Sequence, residues 1–60
     1  MNVWINKKNK EEYVVLNVNI INATNSADEQ VMILYVDSEN RIYVREAKEF
    51  HRKFVKLPDE

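Results

Sequence analysis

The sixty-residue chain has no glycine and no cysteine, and only one proline, one histidine and one tryptophan. Without cysteine there is neither a disulfide framework nor a thiolate metal site, so a domain this small is held by packing or by self-association. Without glycine there is no glycine-rich phosphate loop. Any residue that needs a positive φ must then be an asparagine or aspartate, which tolerate it best, and Asn40 is the candidate. Long apolar runs are missing as well. No window approaches the ~20 apolar residues of a membrane span, and the opening "MNVWINKKNK" has no apolar stretch of signal-peptide length, so the expectation is a soluble, cytoplasmic protein with no membrane partner. The triplet Asn22-Ala23-Thr24 fits a glycosylation acceptor, but without a secretory signal it has no physical consequence. Nor is there a large excess of either charge. A formal net charge of -1 argues against a generic polyanion binder, while 45% hydrophobic and 32% charged residues indicate a globular chain.

What is present reads as strands. In "YVVLNVNII", Tyr13 to Ile21, Val14, Leu16, Val18 and Ile20 alternate with Asn17 and Asn19, the pattern of a strand with one wet face. "NATNSADEQ", Asn22 to Gln30, is rich in side chains that bond locally to the backbone and forms a loop. "VMILYVD", Val31 to Asp37, is almost continuously apolar, as expected for a strand covered on both faces. "DSEN", Asp37 to Asn40, reverses the chain into a strand "RIYV", Arg41 to Val44. Ala47, Phe50 and Phe54 then fall at helical spacing, but the segment is short. One or two helical turns from Glu46 to about His51, followed by a strand "KFVKL" that Pro58 stops, is the expected form. "VWI", Val3 to Ile5, opens the chain as a further strand.

The fold expected from these residues is a single all-β domain over residues 1–60. It is a small barrel of about five short strands with one helical turn before the last, since closure removes edges so short a sheet could not protect. The predicted core is Val14, Leu16, Val18, Ile20, Ile33, Leu34, Val36, Ile42, Val44, Phe50, Phe54 and Leu57. A sixty-residue domain buries only about 60% of its unfolded surface. Trp4, Val15, Ile21, Met32 and Tyr35 are therefore apolar residues the interior need not absorb. Their placement predicts a homodimer joined through Val15, Ile21, Met32 or Tyr35.

The expectation for chemistry is no enzyme, no catalytic residues, no metal and no cofactor. The lone His51 lies amid Phe50, Arg52 and Lys53, and a pairing with Glu46 or Glu49 would need further orienting groups. One histidine with scattered carboxylates has no zinc spacing, and Asp37 to Asn40 lacks the length and glycine of a calcium loop. The segment from Arg41 to Lys56 is different. It carries six basic residues against two acids, and Tyr43 alternates onto the same strand face as Arg41 and Arg45. Aromatics between cations can stack on bases beside phosphate contacts, so Arg41, Tyr43, Arg45, Arg52 and Lys53 are candidates for nucleic-acid or partner contact. The competing expectation is a solvated charged face, with Arg45 pairing locally to Glu46 and Glu49. On it, exchanging Arg41, Arg45 and Arg52 together for glutamate leaves the fold intact.

Several of these features together resemble the domain-of-unknown-function family 1653, small SH3-like proteins of bacteria and phages. They are Tyr13-Val14-Val15-Leu16, the acidic Asp28-Glu29 before a Val-rich strand ending in Tyr35, Tyr43-Val44-Arg45, Glu49-Phe50 and Phe54. The likeness runs from Val3 to Leu57. The chain departs from that pattern where it has Glu46 in place of a proline and lacks glycines in the first and central turns. The resemblance implies an SH3-like barrel and a phage or mobile-element origin, and it brings no catalytic residues. Two function classes follow. One is a non-enzymatic protein-binding module, such as a phage-encoded inhibitor or modulator of a host defence system acting in the host cytoplasm. The other is a nucleic-acid-binding barrel that uses the basic segment.

Overall fold

The computed structural model describes residues 2–23 and 30–58. Thr24 of the acceptor triplet, the acidic pair Asp28-Glu29 and most of the expected loop lie outside the described residues. Among the described residues, five antiparallel strands form one sheet, β1 (Val3–Asn6), β2 (Glu12–Asn22), β3 (Gln30–Val36), β4 (Ile42–Glu46) and β5 (Phe54–Lys56), with a single helix α1 (Ala47–Lys53) before β5. The strand order is β4-β3-β2-β1-β5. This is the expected all-β architecture with its helical turn in the expected place.

The geometry of α1 shows that the sheet curls. Five strands laid flat would put the two edge strands about 19 Å apart. A seven-residue helix connects the end of β4 directly to the start of β5, and eight helical steps span only about 12 Å. The edges are therefore drawn toward one another, and α1 packs against β3, β4 and β5. Strand β2 contributes to the bend. Val14 and Val15 face Val36 and Tyr35 in step, but Asn17 already faces Leu34, and Ile20 faces Met32. Each slip inserts one extra residue in β2, a bulge that bends the strand and increases its twist.

The turns are built from side chains rather than from glycine. Between β1 and β2, Asn6 Oδ1 accepts hydrogen bonds from the backbone N–H of Lys8 and of Asn9, and Asn9 Oδ1 accepts from Glu11 N–H. Between β3 and β4, Asn40 takes the expected left-handed backbone with φ 64°, and Lys10 does the same in the first turn. A lysine there accepts a backbone cost that glycine would not, and the asparagine bonds around it hold the turn in place.

The interior corrects the expected core. Ile33, Phe50 and Phe54 are buried as predicted, but the rest of the buried set is Tyr13, Val15 and Tyr35, with Trp4, Tyr43 and Ala47 packed against it. Leu16, Val18, Ile42 and Val44 are exposed, and Val14, Ile20, Leu34, Val36 and Leu57 are only half-buried. Two causes combine. The bulges place Val14, Asn17 and Ile20 on the outer side of β2, a spacing of three that an alternating count cannot follow. The inner side is then decided by aromatic size. Tyr13 and Tyr35 pack edge-on against Phe54, and Phe50 stacks on Phe54 with ring centroids 4.2 Å apart. β-branched side chains would leave the space beneath a single short helix partly empty.

The same result corrects the expected dimer residues and the expectation that β3 is covered on both faces. Val15 and Tyr35 lie inside the chain and cannot form a contact surface, while Ile21 is exposed and Met32 is half-buried on the outer side. Strand β3 has protein on one face only among the described residues.

Candidate functional site

Each residue of the expected basic site has a defined place, and the structure does not bring the five together. Asp37 closes β3 and organises the turn that follows. Its Oδ1 accepts hydrogen bonds from the backbone N–H of Glu39 and of Arg41, each at 2.9 Å. Its Oδ2 accepts from Arg41 Nε at 2.8 Å and from the Tyr43 hydroxyl at 2.9 Å. Arg41 also reaches Glu39. The guanidinium of Arg41 thus sits between two carboxylates and carries little net charge to a ligand.

Tyr43 is likewise occupied. Its ring stacks on Tyr35 at 5.4 Å with an interplanar angle of 16°, so one face is covered and its hydroxyl is committed to Asp37. That hydrogen bond raises the Tyr43 pKa above its ordinary value, since only the protonated phenol can donate to the carboxylate.

Arg45 is structural. It lies opposite Ile33 on the inner side of β4, donates from Nε to the Tyr35 hydroxyl at 3.0 Å, pairs with Glu49 one helical turn away, and holds its guanidinium carbon 5.9 Å from the centre of the Phe54 ring. The bond to Tyr35 and then the Glu49 carboxylate hold its pKa above the ordinary arginine range, against an opposing contribution from burial. Pairing with Glu49 is one of the expected local partners. Glu46, the other, instead accepts a hydrogen bond from Gln30, which in turn accepts one from Asn22.

Arg52 and Lys53 are exposed at the C-terminal end of α1. They belong to a different basic surface from Arg41 and Arg45. Lys7 N–H donates to the Lys53 carbonyl at 2.9 Å, and the neighbouring pair Asn6 and Phe54 face each other across β1 and β5. The β1–β2 turn, with Lys7, Lys8 and Lys10, is thus joined to the end of the helix. None of Lys7, Lys8, Lys10, Arg52 and Lys53 forms an ion pair among the described residues. Sequence order hides this cluster because its two halves lie at opposite ends of the chain, and no local charge count joins them. His51 precedes Arg52 on α1, its ring 5.4 Å from Trp4 and 5.9 Å from Phe50.

The most extensive feature is the outer side of the sheet. Val3, Val14, Val36 and Ile42 form one row across four strands, and Leu34 and Val44 face each other in the next. Ile42 is 66% exposed and Val44 53% exposed. The row beyond is Ile20, Met32 and Glu46, where the Asn22–Gln30–Glu46 hydrogen bonds make a polar margin. On the inner side every buried side-chain polar atom among the described residues has a partner. The outer side is aliphatic at its centre except for Asn17, which faces Leu34, and polar at its edge.

No family model, curated protein or solved structure matches the chain. The site therefore rests on its own residues. No helix among the described residues is long and apolar enough to cross a membrane.

The Asp37 cluster has a consequence for acid stability. Burial of the carboxylate, 7% exposed, acts to raise its pKa. The hydrogen bonds from Arg41, Tyr43 and Glu39 outweigh that and lower it from 3.8 to about 2. A depressed carboxylate stabilises the fold above the unfolded value and ceases to do so as pH falls through the folded one. Between pH 4 and pH 2 the wild-type urea midpoint should therefore fall with a steeper slope than that of Asp37→Asn. Equal slopes would show that Asp37 makes no net contribution there.

Proposed function

We propose that this protein is a small non-enzymatic protein-binding module, and that it binds through the outer face of β2, β3 and β4. One observation carries the reading: both faces of the sheet are apolar, yet only one is covered by the chain's own helix. An antiparallel sheet with a free face ordinarily alternates apolar and polar residues. Here the free face carries Val14, Leu34, Val36, Ile42 and Val44, with a polar margin at Gln30 and Glu46, the anatomy of an interface with an apolar core and a polar rim. Contiguous exposed aliphatic surface of this kind marks interaction sites in soluble proteins. Action on a target in a host cell is one use such a surface would have, and the resemblance to family 1653 is its support.

The test compares immobilised wild-type chain with Val44→Lys in lysate of the source cells. A protein retained by the first and lost from the second is the expected result. Identical retention profiles would overturn the reading.

A second reading, nucleic-acid binding, has its own observation. Lys7, just past β1, donates its backbone N–H to the carbonyl of Lys53, the last residue of α1, so the two like charges are held close, and Lys8 and Lys10 of the same turn and Arg52 of the same helix end add to them. A phosphate backbone would relieve that repulsion. The support thus lies not with Arg41, Tyr43 and Arg45 but with the five cations where the first turn meets the end of α1, Arg52 and Lys53 among them. Binding to a mixed single-stranded and duplex oligonucleotide should then weaken steeply with salt, and more so in Lys7→Glu with Lys53→Glu than in Arg41→Glu. Absence of binding at low salt would remove this reading.

A further inference from the structure

We infer that the occupant of the outer face is a second copy of this chain, giving a two-fold dimer in which Val14, Leu34, Val36, Ile42 and Val44 of one protomer meet the same residues of the other. The inference rests on the reading of that face as a protein-binding surface and names its partner.

Three observations lead to it. The first is charge. A symmetric contact brings each residue near its own twin or near a neighbour's, so any charge at its centre is repeated in the partner. The rows Val14–Val36–Ile42 and Asn17–Leu34–Val44 carry none; the carboxylates on that side, Glu12 two residues before Val14 on β2 and Glu46 two residues after Val44 on β4, lie beyond those rows, and Glu46 is drawn to Gln30. A chain of net charge -1 also has little long-range repulsion from its copy.

The second is exposure. Ile42 is 66% and Val44 53% exposed on β4, beside half-buried Leu34 and Val36 on β3, and a contact between two sheets removes that aliphatic surface from both copies at once.

The third is shape. β-branched residues on neighbouring strands form regular ridges, and two sheets pack face to face by interdigitating such ridges about 10 Å apart. The outer rows supply them on β2, β3 and β4. The inner face cannot take this part, because α1 and the aromatic cluster already cover it.

The decisive experiment is analytical ultracentrifugation of the wild type, Val44→Lys and Ile42→Ser across 1 to 200 micromolar, with far-ultraviolet dichroism as the check on folding. The expected result is a wild-type species of twice the 7.2 kDa chain mass. The variants should keep the wild-type spectrum with a dissociation constant at least 100-fold weaker. Because the chain has no cysteine, Ile42→Cys provides a second measurement that does not depend on disrupting the face. It should cross-link to itself on mild oxidation, and Lys48→Cys, on the helix side, should not. A wild type that stays monomeric throughout overturns the second copy as occupant. If the lysate comparison then still separates wild type from Val44→Lys, the binding-face reading stands with another partner, and if it does not, both fall. A dimer that persists in both face variants places the contact elsewhere and also overturns the inference.

Discussion

Phe50→Ala is expected to leave the chain largely unfolded at 25 °C. Phe50 is the most enclosed residue of the core, 0% exposed. It stacks on Phe54, meets Trp4 edge-on at 5.1 Å and lies 5.1 Å from Tyr35. Truncating a buried phenylalanine costs about 3 to 5 kcal/mol when the cavity cannot collapse. A sixty-residue domain has in all about 3 to 9 kcal/mol of stability. The cavity would also open beneath the one helix that ties β4 to β5, so local relaxation has no second element to draw on. Phe50→Leu, which keeps most of the volume, should fold with a lower urea midpoint. A cooperative transition in Phe50→Ala near the wild-type midpoint would show that the core is not centred on this ring.

Arg45→Glu is expected to have the second largest effect, and it separates two arginines that sequence treats alike. The substitution removes the donor to the Tyr35 hydroxyl, places a carboxylate beside Glu49 and strips the Arg45 stem from the Phe54 ring. A lost hydrogen bond to a charged group contributes about 1.5 to 2 kcal/mol at a half-buried position, on the order of 10 °C in thermal midpoint for a chain this short. Arg41→Glu, at the exposed turn, should lower the midpoint less. The triple exchange of Arg41, Arg45 and Arg52 is therefore expected to destabilise the protein, contrary to what the charge pattern alone implies, with most of the loss at Arg45. Equal midpoints for the two single variants would return Arg45 to the solvated surface.

The elements were legible in the sequence because they depend on local signals. Alternation and β-branching located the strands, "DSEN" located the reversal, Asn40 took the left-handed backbone, and the spacing of Ala47, Phe50 and Phe54 located the helix. The choice of inner face was not legible. From Val14 to Val36 both faces carry apolar side chains, so alternation no longer distinguishes them. What distinguishes them is that tyrosines can bury a ring while their hydroxyls find partners at the rim, Tyr13 at Asn9 and Tyr35 at Arg45. The bulges in β2 leave no mark that a period-two count detects. The candidate sites were hidden for a related reason. The outer row joins β1, β2, β3 and β4, and the basic end joins the first turn to the end of the helix.

The pairing of β1 with β5, in which Ile5 faces Val55 and Leu57 N–H donates to the Val3 carbonyl, also bears on how the chain reaches its fold. The β2–β3 and β3–β4 hairpins join segments that are neighbours in sequence and form rapidly. The β1–β5 ladder joins segments near opposite ends and must close almost the whole chain at once. During synthesis the apolar rows of β2, β3 and β4 thus leave the ribosome before the strand that completes the sheet is available. The sheet depends on β5 to finish folding, and a ribosome stalled before Phe54 would hold an adhesive, unfinished sheet.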